Sequence, residues 1–266
     1  MSDDEENPNS ILVVGKAGIG KSLFCQKIVR DWAKNELFKE RENTKVLSLN
    51  CVYLLSFRQL NLFQNNYVTL REILTFSSLL DDNSNTDDFT FEYIVKHPKE
   101  VMIILDGYDE YSQQDYIAGN LEEHPNDARR KMPVAALCSK LIEGKILKGA
   151  YVSITSRPDK SDKLGGIRFK RYVEIAGFSP EQVKEYIEKY LNKNEEIKNA
   201  VLEHVMNNAN LVSFAHIPMP CYLLCFEMEY TLSESGNPHD LPVSTTDLYT
   251  TVYFCHILHR LSTSSS

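Results

Sequence analysis

Eight consecutive residues near the start of the chain, Gly15-Lys16-Ala17-Gly18-Ile19-Gly20-Lys21-Ser22, follow the pattern glycine, four variable positions, glycine, lysine, hydroxyl. Each fixed position suits a phosphate chain. Glycines let successive backbone N–H groups curl round an anion with no Cβ in the way. A helix that follows such a loop points its positive end at the same anion. Lys21 has the reach for β- and γ-phosphates, and the Ser22 hydroxyl is a Mg²⁺ ligand type. A purely structural glycine turn is the plain alternative, and the flanks argue against it. Ile11 to Val14 is an apolar run that reads as a buried strand stopping at Gly15. From Lys21 to Phe38 the pattern turns helical, with Phe24, Ile28 and Trp32, joined by Val29 and Ala33, on one stripe.

Three further stretches carry groups that such chemistry uses. Val101-Met102-Ile103-Ile104-Leu105-Asp106 is an apolar strand that delivers one carboxylate to the carboxyl edge of a sheet, where open α/β sheets bind ligands. Asp106 can then hold Mg²⁺ through water, opposite Ser22. Asp109 and Glu110 follow within reach of the same edge, and one of them could orient or deprotonate a water; a solvated acidic turn is the bland alternative. Val152-Ser153-Ile154-Thr155-Ser156-Arg157-Pro158 ends a strand in an arginine that could sense a terminal phosphate, although a lone arginine there is more often a surface residue. In Ile217-Pro218-Met219-Pro220-Cys221, Pro218 either simply opens a helix or presses its ring on a flat base.

The elements that must position these groups alternate. Strands are expected at Ile11–Val14, Lys45–Cys51, Val101–Leu105, Ala150–Thr155 and Arg171–Ile175, with helices such as Leu70–Leu80 and Pro133–Leu147 between them. That order argues for an α/β fold with a mostly parallel sheet covered on both faces. Asp81–Asp88 and Gln113–Lys131 read as surface loops. After Ile175 only helices are expected. Ser179-Pro180-Glu181-Gln182 has the parts of a helix start with a capping box, and its helix should bury Val183, Ile187, Tyr190 and Leu191. A second helix carries Ile197, Val201 and Val205 and ends at Asn207 and Asn208; a third starts near Met219 and a fourth runs from Ser244 to about Leu261. The expected organisation is an acidic N-terminus over 1–10, a nucleotide-binding domain over 11–176 and a small all-helical domain over 177–262.

Composition bounds the partners. Across 266 residues, 29 Lys and Arg stand against 37 Asp and Glu, a net charge of −8, and no basic run offers a footprint for nucleic acid. Residues 1–10 lack the basic and apolar regions of a secretory signal, and no stretch approaches the ~20 apolar residues of a membrane span. The cysteines, Cys25, Cys51, Cys138, Cys221, Cys225 and Cys255, read as buried free thiols of a reducing compartment rather than a zinc site. The cytosol is the expected location.

Taken together and in this order, the motifs resemble those of the NACHT NTPases of the NOD-like receptors, a branch of the STAND class of P-loop NTPases. Gly15 to Ser22 resembles the family's Walker A, Leu105-Asp106-Gly107-Tyr108-Asp109-Glu110 its extended Walker B, and Thr155-Ser156-Arg157-Pro158 its sensor 1. Gly177-Phe178-Ser179, Ile217-Pro218 with Cys221, and Thr245-Thr246-Asp247-Leu248-Tyr249 resemble segments of the helical domain that follows. The resemblance implies an ASCE-type, AAA+-like P-loop domain joined to a helical domain, and ADP or ATP with Mg²⁺ as ligands. It implies phosphate binding by the Gly15–Ser22 loop, metal binding by Ser22 and Asp106, water handling by Asp109 and Glu110, γ-phosphate sensing by Arg157 and adenine contact by Pro218. ADP would hold a closed monomer, and ATP would permit homo-oligomerisation through the NACHT domain. Hydrolysis would be slow and regulatory, in innate immune signalling through effector and sensor domains or other signalling proteins. Tyr108 stands where the family usually has an aliphatic residue. Within these 266 residues no counterpart is expected for a winged-helix domain, leucine-rich repeats or a preceding death-fold domain, and His256 and His259 do not match the winged-helix histidine. A small-molecule or nucleoside kinase, and a catalytically inert interaction module, are the alternatives. The helical tail from Phe178 is poor in the arginines a kinase lid uses, and the intact Lys21, Ser22, Asp106 and Glu110 argue against decay.

Overall fold

The computed structural model describes residues 9–37, 48–63, 66–77, 79, 86–117 and 124–250. It divides into two compact units, Met1–Ala17 with Lys21–Ile175, and Gly18–Gly20 with Ala176–Ser266.

The first unit is built on a parallel sheet of β1 (Asn9–Val14), β2 (Cys51–Ser56), β3 (Val101–Asp106), β4 (Tyr151–Ser156) and β5 (Arg171–Glu174). The spatial order is β2-β3-β4-β1-β5, so β4 lies between the strand that leads into the glycine loop and the strand that ends in Asp106. The register sets Ser56 opposite Asp106, Leu105 opposite Ile154, and Val14 opposite Ser156. The carboxyl ends of four strands therefore stop at one edge.

Side chains alternate between two faces, as strand geometry requires. Tyr53, Leu55, Ile103, Leu105, Val152 and Ile154 join the main core with Leu70, Ile73 and Leu74 of α2 (Leu70–Thr75), Phe91 and Ile94 of α3 (Asp88–Lys96), and α4 (Val134–Ile142). Every residue of α4 is buried. On the other face Val52, Leu54 and Ile104 pack with Cys25, Ile28, Val29 and Trp32 of α1 (Lys21–Ala33). Cys25 is the buried centre of that face, while Ala33, expected on the apolar stripe, is exposed. The backbone of β2 at Leu54, on the sheet's edge, is closed by a side chain. Leu54 N donates to Ser77 Oγ at 3.1 Å, and the same hydroxyl donates to Leu54 O at 3.1 Å. An edge strand is blunted this way without a further strand.

Several element boundaries differ from expectation. The second strand begins at Cys51 rather than ending there. Burial on both faces selects the continuous run Val52-Tyr53-Leu54-Leu55 over the half-polar Ser48-Leu49-Asn50; residues 45–47 lie outside the described residues. The helix expected to reach Leu80 stops at Thr75, where Phe76 leaves helical backbone and Ser77 turns to the β2 edge. The helix expected to reach Leu147 stops at Ile142, because Gly144 takes a φ of 66° just past its end. The two expected loops contain core and helix. Asp87 caps α3 by accepting from Thr90 N at 2.7 Å, and Gln114, Ile117 and Ala128 are buried; 81–85 and 118–123 are not among the described residues.

The second unit is helical: α5 (Pro180–Tyr190), α6 (Glu195–Met206), α7 (Ala209–Ala215) and α8 (Pro218–Ser235). The capping box at α5 forms as read, with Ser179 Oγ accepting from Gln182 N at 3.3 Å and Gln182 Oε1 from Ser179 N at 2.9 Å. Val183, Ile187, Leu191, Val201 and Val205 form the core with Leu211, Cys221, Leu224, Cys225 and Met228, and Tyr190 is only partly buried. Sequence reading passed over α7, taking Asn208 as an end. Its side chain instead starts the next helix, accepting from Asn210 N at 3.0 Å and Leu211 N at 3.3 Å. A further helical stretch begins at Thr245, with Ser244 Oγ accepting from Asp247 N at 3.1 Å; residues 251–266, with His256 and His259, lie outside the described residues.

Candidate functional site

The glycine loop leaves β1 at Gly15, whose N–H donates to Ser156 O at 3.1 Å, tying it to the end of β4. Gly18 and Gly20 have φ values of 72° and 99°, the left-handed backbone that glycine supplies without a Cβ clash. Helix α1 starts at Lys21, so the helix's free N–H groups open at the loop. The Lys21 ammonium folds back on the loop, donating to Gly15 O at 2.8 Å and Lys16 O at 3.1 Å. Burial pushes its pKa below the ordinary lysine value. Asp109 pulls it back, Arg157 lowers it further, and Asp106 and Glu110 act as Asp109 does. The ammonium thus lies within the field of Asp106, Asp109, Glu110 and Arg157.

Asp106 is the junction of the site. Its Oδ2 accepts from Ser22 Oγ at 2.6 Å and its Oδ1 from Thr155 Oγ1 at 2.6 Å. The Thr155 hydroxyl in turn accepts from Gly107 N at 2.8 Å. The Cys25 thiol lies 3.8 Å from Oδ1, and burial with the adjacent carboxylate pushes its pKa far up, which keeps it a neutral thiol. Ser22 and Asp106 together present hard oxygen donors, the set Mg²⁺ takes alongside water and phosphate oxygens.

Past Asp106 the chain reverses at Gly107, which has a φ of 81° and ψ of 50°. A Cβ there would meet nothing closer than 3.6 Å, so backbone conformation rather than space calls for glycine. Tyr108–Glu110 forms a single 3₁₀ turn that sends three side chains three ways. Tyr108 is fully buried against Phe57, with ring centroids 5.7 Å apart, and donates to Gln114 O at 3.1 Å. Its burial lifts the phenol to about 12. Asp109 Oδ2 pairs with Arg157 Nε at 2.7 Å, its side chain 8% exposed against 49% for the arginine. Glu110 Oε2 pairs with Arg58 Nε at 3.0 Å and is 41% exposed. Asp109 is therefore no solvated turn residue, whereas Glu110 faces water. The Gln114 amide donates to Tyr108 O at 3.1 Å and Asp109 O at 3.0 Å, fixing the turn from below.

The structure brings together Gly15, Lys16, Lys21, Ser22, Asp106, Asp109, Glu110 and Arg157 at the carboxyl edge of the sheet in the first unit. Ala17, exposed, ends the first unit's share of the loop, and Ile19 is buried. Pro218 belongs to the second unit and is the first residue of α8, where a missing N–H breaks no helix bond. Sequence reading left three contributors unassigned. Thr155 was within a motif, but its contact with Asp106 follows from β3 and β4 being neighbours, which spacing alone does not reveal. Arg58, two residues past β2, and Cys25 likewise become relevant only through strand order. The described cysteines are all free, with Cys51 half-buried and the others buried. Among the described residues no helix is long and apolar enough to cross a membrane.

A parallel sheet that carries a glycine-lysine-serine loop on one strand and a magnesium-type carboxylate on the strand two places away defines a P-loop NTPase domain. The chain belongs to the NACHT domain family, whose model matches residues 9–194. It is a nucleotide-binding module of that class. Protein NLRC5 of Ictalurus punctatus is 30% identical over 244 residues, covering 90% of this chain and 14% of that protein. NACHT, LRR and PYD domains-containing protein 12 of Homo sapiens is 28% identical over 250 residues, 92% of this chain and 22% of that protein. The chain thus spans under a quarter of the length of either relative. Among solved structures, the FIGL-1 AAA domain in complex with ADP aligns at a TM-score of 0.45 and 13% identity, over 93% of this chain and 72% of that one.

Proposed function

We propose that the chain is a nucleotide-operated switch that binds ATP or ADP with Mg²⁺, hydrolyses ATP slowly, and signals in an innate immune NOD-like receptor. The observation that carries this is the hydrogen-bonded chain Ser22–Asp106–Thr155 beside the Lys21 ammonium. Hydroxyl and carboxylate are already drawn together at the loop where a triphosphate would present its oxygens. Lys21 neutralises the β- and γ-phosphates, and Ser22 with Asp106 holds the cation. Mg²⁺, when bound, spreads the charge of the phosphate oxygens. Glu110, exposed beside the edge, accepts the proton of the attacking water. Arg157 reads the terminal phosphate. Pro218 offers its ring to adenine, and the ATP form assembles with further copies of the chain and with other signalling proteins in the cytoplasm.

The test is nucleotide content. Purified protein is denatured and its supernatant resolved by anion exchange, with binding of added ADP and ATP measured in parallel. Stoichiometric ADP or ATP is expected. Neither bound nucleotide nor uptake of added nucleotide would overturn the proposal.

A further inference from the structure

The Asp109–Arg157 pair occupies the place where a nucleotide-reading arginine would work, and the two residues are unequally free to move. Asp109 is more than nine-tenths buried, and its turn is pinned by Gln114 and by the Tyr108 ring. Arg157 is about half exposed at the end of β4. Only one carboxylate oxygen is in use. Asp109 Oδ1 is buried and has no hydrogen-bond partner. A buried carboxylate half satisfied in this way depends heavily on its single cation, since an unpaired buried charge is far more costly than an unpaired exposed one.

We infer that Asp109 is a positioning residue that latches Arg157: without a γ-phosphate the buried carboxylate holds the arginine, and a triphosphate must draw it off while a diphosphate need not. This rests on the nucleotide-binding reading above and deepens it. A γ-phosphate recruiting Arg157 leaves Asp109 buried without its counter-ion and adds negative charge near it. ADP leaves the pair intact. The latch therefore tilts the site toward the diphosphate by roughly what a charge-assisted hydrogen bond contributes. Lys21 registers Asp109 and Arg157 with opposite signs, which agrees with both charges lying beside the phosphate-binding ammonium. The same pairing removes Asp109 from the role of proton acceptor, because its one satisfied oxygen is committed to a guanidinium and its other is buried.

The experiment is a double-mutant cycle on the 266-residue chain, with affinities for ADP and for a non-hydrolysable ATP analogue measured by calorimetry in Mg²⁺. Asp109→Asn keeps shape and backbone contacts and removes the charge. It should raise the triphosphate-to-diphosphate affinity ratio about tenfold, equivalent to about 1.4 kcal/mol. In an Arg157→Ala background the same substitution should raise the ratio by clearly less, because no pair remains to break. Asp109→Ala serves as a second variant should the asparagine fail to fold, with Trp32 fluorescence as the folding check. An unchanged or lowered ratio in Asp109→Asn overturns the latch, and so does an equal gain in both backgrounds, which would point to simple repulsion. If the parent chain takes up neither nucleotide, the nucleotide-binding reading falls and the latch with it. If it binds both and the ratio does not move, only the latch falls.

Discussion

Replacing Thr155 with valine isolates the contact that sequence reading did not assign. Thr155 is fully buried, and valine has its shape, so no cavity opens. Two hydrogen bonds disappear. One is the 2.6 Å donation to the Asp106 carboxylate, a bond to a charged group of the kind that contributes about 1.5–3 kcal/mol. The other is the 2.8 Å bond from Gly107 N, which leaves that N–H without its partner, at a cost of about 1–3 kcal/mol when sealed from water. Gly107 is only partly buried, so water recovers some of the second loss. A total of about 2–4 kcal/mol is expected, or ~4–16 °C in the midpoint of a unit this size.

The chain supplies its own probe. Trp32 is the single tryptophan, and it sits in the first unit with its indole N–H donating to Leu49 O at 2.7 Å. Urea unfolding followed by its fluorescence therefore reports that unit separately from the helical one. Thr155→Ser keeps the hydroxyl and removes only a methyl, so it should cost about 1 kcal/mol. Thr155→Val should also weaken nucleotide binding more in the presence of Mg²⁺ than in its absence, because Asp106 loses the group that orients it. A valine variant within ~0.5 kcal/mol of the parent, or a serine variant as damaged as valine, would refute the reasoning, since additive surface effects fall in that range.

Three other outcomes are expected. Lys21→Met should abolish nucleotide uptake and with it the ~2.7 kcal/mol of stabilisation that saturating ligand gives at a hundredfold excess over Kd, read as the loss of a thermal shift. In the nucleotide-free parent the lowered Lys21 value means that its charge opposes folding below that value, an opposition that fades as pH rises from it toward 10.5, so the pH slope of stability over that window should flatten in Lys21→Met. Glu110→Gln should leave binding intact and slow phosphate release by about 10²–10⁴-fold in single-turnover assays, and an unchanged rate would remove Glu110 from the chemistry. Tyr108, lifted to about 12, keeps its proton longer folded than unfolded, so its contribution is complete below pH ~10 and is lost as pH climbs to about 12. Trp32-detected stability should fall across that window, and less steeply in Tyr108→Phe; equal slopes would contradict the assignment.

The parts of this protein that were legible in its sequence are those whose signal is local. The loop from Gly15 to Ser22 combines fixed residue types with a strand before and a helix after, and Ser179-Pro180-Glu181-Gln182 names each part of a cap; both form as read. Boundaries went astray where a distant element decided them. Ser77 ends α2 because the edge of β2 offers a carbonyl and an N–H to its hydroxyl, and nothing within Leu70–Leu80 announces that partner. Asn208 reads equally as a helix end or a helix start, and only the continuation of the core through Leu211 and Ala215 settles it. At the site, residue types were visible but pairings were not. Thr155 meets Asp106, and Arg58 meets Glu110, because the sheet order is β2-β3-β4-β1-β5, a long-range fact that no spacing encodes.

The two adjacent acids show how far local geometry then carries the argument. In a 3₁₀ turn successive side chains diverge by about 120°, which turns the two neighbouring acids toward different arginines. Gly107 starts that turn in left-handed backbone, and Tyr108 fixes its rotation by sinking its ring onto Phe57. An aliphatic residue at 108 could fill the same hollow, but only the phenol also bonds Gln114 O, whose own side chain returns two bonds to the turn. With that rotation fixed, Asp109 must face the end of β4 and Glu110 the end of β2. The division of labour between them follows: the inward acid is held by Arg157, and the outward one remains beside solvent with Arg58. Exchanging the identities of 109 and 110 would therefore not exchange their roles, because the position on the turn, more than the length of the side chain, assigns each acid its arginine.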